Sequence, residues 1–224
     1  GVHKDRVKAV EWFRKAAGAG STRAQMLLGE CYENGYGVAE DPHMAFQCYQ
    51  QAHEGGNSSG TCSLGLCYEL GSGVEEDKEK AAQLYRQAAE AGNIRAACNL
   101  GFFYYHGIAV EEDNSRAFYW FSKAAEKGYH RAEFFMGECY ENGYGVAADP
   151  AKAVEFYAKA HEGGRADGSF ALAACYENGI GVEPDAEKAL ELYKEAANRG
   201  HEKAKDAVKR LYGKKSRKWP WQKK

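Results

Sequence analysis

The sequence is short of proline, with four, and of methionine, with three, and it holds only ten valines and three isoleucines against 36 alanines in 224 residues. Alanine is the best helix former and β-branched side chains suit strands, so this imbalance excludes a sheet-rich fold and predicts an all-α chain. Long hydrophobic runs are missing too. None approaches the roughly 18 residues a membrane-spanning helix needs, which excludes a helical transmembrane protein. A 44% hydrophobic share with a mean hydropathy of -0.65 excludes disorder as well. The seven cysteines include no CxxC, so neither a full disulfide framework nor a zinc ribbon is expected, and a reduced, cytoplasmic protein is.

Charge is unevenly placed. Six of the 30 basic residues fall in the last twelve positions, GKKSRKWPWQKK, which hold no acid. The remaining 24 face 32 acidic residues, leaving a body of net -8 with a tail of +6. An acidic body argues against a nucleic-acid partner. The tail's cations, with Trp219 and Trp221 around Pro220, suit an anionic surface or an acidic groove, including weak self-association through a neighbour's groove.

One period organises the rest. Gly29, Gly65, Gly101 and Gly137 stand 36 apart, with Ala173 at the next step. The same step joins Tyr32, Tyr68, Tyr104, Tyr140 and Tyr176, the aspartates from Asp5 to Asp185, and the closing glycines from Gly20 to Gly200. Gly1 matches Gly37, so the chain opens between two helices of a unit, and a preceding segment is expected to be missing, which leaves export open.

Each unit reads as two helices. The first, helix A, spans about 21–34 in the first complete unit and sets Ala24, Leu28 and Tyr32 on one stripe before ending at Asn34-Gly35, where glycine takes the left-handed conformation. Helix B starts at Asp41, a carboxylate cap, with Pro42 at the first helical position, a device that Asp149-Pro150 repeats. A lone pair of this kind cannot bury its apolar face, so the units must stack. Six A and six B helices are predicted, the first B over about 5–18 and the last A over about 201–212, followed by a separate tail at 213–224.

The pattern A-x3-LG-x2-Y-x2-G-x-GV-x2-D-x3-A-x3-Y-x2-A-x3-G, from Ala24 to Gly56, resembles the Sel-1-like repeat family, relatives of tetratricopeptide repeats. The resemblance covers residues 1–212, with Ala109 in a loop-glycine position and Ala173 in the LG pair as departures. It implies a right-handed α/α superhelix, a solenoid of 36-residue helix-turn-helix repeats, with helix A on the concave side, serving as a scaffold or adaptor for protein partners. Cysteine-rich members of the family imply an alternative, a hydrolase of the β-lactamase or penicillin-binding type. Those members staple each repeat with a cysteine pair, whereas here Cys48 stands alone and the others recur in single columns. They read as small buried apolar side chains.

Helix A carries a second stripe that packing does not consume, expected to line a groove for an extended peptide. Arg23, Met26, Glu30, Glu33 and Asn34 form it in the first complete unit. Along one edge run Arg23, Arg95, Arg131 and Lys203; along the other run Glu33, Glu69, Tyr105, Glu141 and Glu177, beside Asn34, Asn142 and Asn178. Met26, Cys62, Cys98, Phe134 and Phe170 are the expected floor, and Glu30, Leu66, Phe102 and Glu138 the next column. The glutamates are expected to favour basic peptides. No catalytic, cofactor or metal motif accompanies the seven histidines, so neither an enzyme nor a cofactor is predicted; His53 and His161, in matching AHEGG segments, are expected to contact the last carbonyls of their helices.

Overall fold

A computed structural model describes residues 2–218. Twelve helices and no strand occur among them: α1 (Val2–Gly18), α2 (Thr22–Asn34), α3 (Pro42–Glu54), α4 (Ser58–Leu70), α5 (Lys78–Glu90), α6 (Ile94–His106), α7 (Asn114–Ala125), α8 (His130–Asn142), α9 (Pro150–Glu162), α10 (Ala166–Asn178), α11 (Ala186–Asn198) and α12 (Glu202–Lys218). Even-numbered helices are the A helices of the sequence, odd-numbered ones the B helices. The last helix continues past the predicted end near 212 to Lys218. Trp219, Pro220 and Trp221 lie outside the described residues. No described helix is long and apolar enough to cross a membrane.

The helix boundaries are set by side chains that recur every 36 residues. Asp41, Asp77, Asp149 and Asp185 each accept a backbone N–H of the first turn of α3, α5, α9 and α11, satisfying amides that lack an intrahelical acceptor. The amide of each of these aspartates donates to the carbonyl of the repeat tyrosine before it, as Asp41 does to Tyr32 at 2.9 Å, which fixes the connection between the two helices. At the other helix end Gly143, with φ +75°, closes α8 by donating to the Cys139 carbonyl.

The array divides between Asp113 and Asn114 into two compact units. The division follows the loop in which Ala109 replaces glycine, and Ala109 keeps the left-handed backbone of its equivalents, with φ +53°. In the first unit α1 to α6 pack in chain order, each helix on the next; in the second α7 to α12 do the same. The first core joins Val10, Leu28, Cys31, Tyr49, Leu64 and Cys67, the second Tyr157, Leu172, Cys175, Leu192 and Tyr193. Helices A and B approach closely because the LG glycine lies under a tyrosine ring: a Cβ added at Gly29 would come within 2.5 Å of Tyr49 Cε1.

Two histidines differ from expectation. His53 Nδ1 lies 3.0 Å from Thr61 Oγ1, and His161 Nδ1 2.9 Å from Ser169 Oγ. Each imidazole thus ties its B helix to the A helix that follows, because a hydroxyl stands in reach across the tight GG turn. The terminal carbonyl of His161 is taken instead by the Arg199 guanidinium, at 3.1 Å.

Candidate functional site

The glutamates of the predicted groove wall are built into the repeats. Tyr49 donates its hydroxyl to Glu33 at 2.6 Å, Tyr157 to Glu141 at 2.5 Å and Tyr193 to Glu177 at 3.0 Å, always sixteen residues apart and from helix B to helix A. Burial, then the carboxylate bond, raises the hydroxyl of each of these tyrosines well above its ordinary value, so the proton stays on the phenol. The asparagines are exposed and bond to their own helices. Asn34, Asn142 and Asn178 donate to the carbonyls of Glu30, Glu138 and Ala174 at 2.9–3.0 Å, within their own last helical turn. One amide proton of each is thereby engaged at its own helix end.

The predicted floor is interrupted. Cys62 and Cys98 are fully buried, while Met26, Phe134 and Phe170 are partly exposed. Arg95 donates to Ser63 Oγ at 2.7 Å and to Cys62 Sγ at 3.3 Å, bracing α6 against α4. Arg23 is exposed on α2, and Arg131 sits 5.8 Å from the centroid of Phe135. Phe102 and Tyr105 gather around the His106 ring, at centroid distances of 4.3 and 4.8 Å.

Five of the expected residues, Phe134, Glu138, Glu141, Phe170 and Lys203, meet in one cleft in the second unit. Phe134, Glu138 and Glu141 from α8 face Asp167, Phe170, Ala171 and Ala174 from α10, with Tyr157 behind and His201, Glu202 and Lys203 closing the side, around a volume of about 540 Å³. The Phe170 ring stacks on His201 at 4.2 Å and lies 5.3 Å from Tyr193. His201 Nδ1 accepts the amide of Ala204, so its other nitrogen, 3.9 Å from Asp167 Oδ1, carries the proton. Asp167 is also held by Arg165 at 2.6 Å. Four carboxylates thus border the cleft against one lysine. Burial, followed by the charges of Glu141 and Asp167, pushes the Glu138 carboxyl up to about 7.

Glu177 lies outside the cleft and is already occupied. Arg210 of α12 places both guanidinium nitrogens on its two oxygens, one at 2.6 Å.

Sequence reasoning missed Asp167, Ala171, Ala174, Glu202 and Arg210. The signal was a change of column: Asp167 interrupts Arg23, Arg95, Arg131 and Lys203 with the opposite sign, and Ala174 stands among Glu30, Leu66, Phe102, Glu138 and Arg210 as the smallest member. The cleft opens where the side chains of α10 are short.

The cysteines offer no rival site. All seven are buried and none forms a disulfide. Burial pushes Cys48 up to about 11 and Cys67, Cys139 and Cys175 up to about 12, which keeps these thiols protonated and poorly nucleophilic at neutral pH.

Helix pairs that recur every 36 residues and pack in chain order define a helical repeat protein. The Sel1 repeat matches residues 1–21, 22–57, 58–93, 94–129, 130–164 and 166–201, and the chain belongs to that family. It is similar to a Sel1 repeat protein from Oxalobacter formigenes, with 35% identity and a TM-score of 0.81 over 86% of this chain and 77% of that one. It is also similar to c5321, a protective antigen of uropathogenic Escherichia coli displaying an SLR fold, with 32% identity and a TM-score of 0.77 over 92% of this chain but 44% of that one. Immunity protein Pa5087 from Pseudomonas aeruginosa shares the fold, at 24% identity and a TM-score of 0.57. No curated protein matches the sequence. Proteins built from Sel1 repeats generally serve as protein–protein interaction scaffolds.

Proposed function

We propose that this chain is a non-enzymatic adaptor that holds an extended segment of a partner protein against its A helices, with the cleft between α8, α10 and α12 as the main anchor. One observation carries this reading: Phe134 and Phe170 form a partly exposed apolar base while Glu138, Glu141, Asp167 and Glu202 surround it. An aromatic base takes an apolar stem, and a carboxylate rim takes a charged or N–H donor end, the combination found at the centre of peptide-binding surfaces.

The test is retention of partners from an extract of the source cell on immobilised protein, quantified for the wild type and for Phe134→Ala plus Phe170→Ala. Loss of the same set of proteins in the variant is expected. An unchanged set, with the variant's circular dichroism spectrum intact, moves the binding face elsewhere.

A further inference from the structure

The two carboxylate–tyrosine pairs of the second unit differ in one respect. Glu177, bonded by Tyr193, carries the Arg210 guanidinium, which comes from the position 33 residues further along the chain. Glu141, bonded by Tyr157 in the same way, has Ala174 at that position, and the space is the open cleft. The protein therefore displays, one repeat on, what its own carboxylate–tyrosine pair binds when the next A helix supplies a long cation.

We infer that the α8–α10–α12 cleft is an arginine pocket, in which the side chain of a partner protein's arginine lays its guanidinium on Glu141 as Arg210 does on Glu177, with its methylene stem between Phe134 and Phe170. The inference rests on the adaptor reading above and names the residue that reading would recognise. Arginine is favoured over lysine because a planar fork makes two parallel bonds to one carboxylate, as at Glu177, and stacks on aromatic faces. Glu138 and Asp167 line the same space, and the Glu138 carboxyl is pushed up first by burial and then by the charges of Glu141 and Asp167. The other groups facing Glu138 fit this assignment: His201 is turned toward Asp167 and stacked on Phe170, Tyr157 is committed to Glu141, Glu202 adds to the acidic rim, and Lys203 is the one lysine or arginine among the described residues lining the cleft.

Two measurements test this. In the first, fluorescein-labelled Gly-Ser-Gly-Arg-Gly-Ser-Gly is titrated with the protein, beside the same peptide carrying lysine or citrulline, the neutral isostere of arginine. The arginine peptide is expected to bind at least tenfold more tightly than the citrulline one and several-fold more tightly than the lysine one, and Glu141→Gln is expected to remove the difference. In the second, Ala174→Arg is expected to raise the unfolding midpoint and to abolish arginine-peptide binding, because the chain then fills its own pocket; in a Glu141→Gln background the rise should vanish. Equal binding of arginine and citrulline peptides overturns the inference. If that equal binding is still lost in Phe134→Ala plus Phe170→Ala, the peptide-binding reading survives without the arginine pocket. An Ala174→Arg variant that is no more stable than wild type, or equally stabilised without Glu141, also overturns it. If a peptide of residues 213–224 binds the cleft tenfold more tightly than the arginine probe, the occupant is the chain's own tail and the assignment to a partner protein fails.

Discussion

Tyr85 donates its hydroxyl to Glu69 at 2.5 Å, across sixteen residues, and this bond recurs wherever helix A ends in glutamate. The one repeat with Tyr105 in the glutamate position has Phe121 sixteen residues on, so acceptor and donor are absent together. A buried hydroxyl without its acceptor, or a carboxylate without its donor, costs more than the joint loss of both. Tyr85→Phe is expected to lower stability by about 1–2 kcal/mol, and Glu69→Gln by less, since the amide oxygen still accepts. Urea midpoints of the two variants check this; a Tyr85→Phe midpoint equal to wild type would show that the bond adds nothing net.

Ala109 holds a left-handed backbone where Gly37, Gly73, Gly145 and Gly181 stand in other repeats. A Cβ there costs about 1–2 kcal/mol, partly offset by the greater freedom glycine has in the unfolded chain. Ala109→Gly is therefore expected to stabilise the protein by about 0.5–1 kcal/mol. Thermal unfolding of the pair decides it, and a lower midpoint for the glycine variant would count against strain in this loop.

Glu138 supplies a pH signature. Its carboxyl is raised from 4.5 to about 7, so the uncharged form favours the fold. That contribution is complete below pH 4.5 and is lost as pH rises through about 7. Glu138→Gln, which is uncharged throughout, is expected to exceed wild type in stability by about 1–2 kcal/mol at pH 8 and to match it at pH 4.5. A difference of the same size at both pH values would contradict the burial of Glu138 beside Glu141 and Asp167.

The two glutamates of the second unit should separate in binding. Glu141→Gln is expected to weaken an arginine peptide and to flatten its salt dependence, because the screened attraction is gone. Glu177→Gln should leave peptide binding within about twofold of wild type and instead loosen α12, since Arg210 loses its charged partner. Hydrogen exchange of the α12 amides, measured beside peptide affinity, distinguishes the two. Equal loss of affinity in both variants would place the peptide across the whole glutamate column.

The fold was legible because its determinants are local and repeated. Asp41 with Pro42, Asn34 with Gly35, and the 36-residue spacing of Gly29 and Tyr32 each specify a boundary or a contact within one unit, and repetition makes them visible without a relative to compare. The face was less legible. Glu33 and Asn34 look like free polar side chains in a helix stripe, yet the first bonds Tyr49 and the second its own helix end. Tyr49 lies sixteen residues away in another helix, and the bond of Asn34 to the Glu30 carbonyl four residues back depends on its side-chain rotamer, so neither is visible in the stripe itself. The cleft is hidden in the sequence for a different reason: Ala171 and Ala174 contribute by being small, and a methyl side chain carries no functional group to mark the place.

The offset of 33 residues between Glu177 and Arg210 makes each pocket's occupancy a property of the repeat that follows, so the array can be edited in whole units. Removing residues 166–201 deletes one full period and keeps the register of everything after it. It would carry Arg210 to the place Ala174 now holds, opposite Glu141. Gain or loss of a single repeat, with no point substitution, would thereby switch the same carboxylate between a recognition site and an internal ion pair.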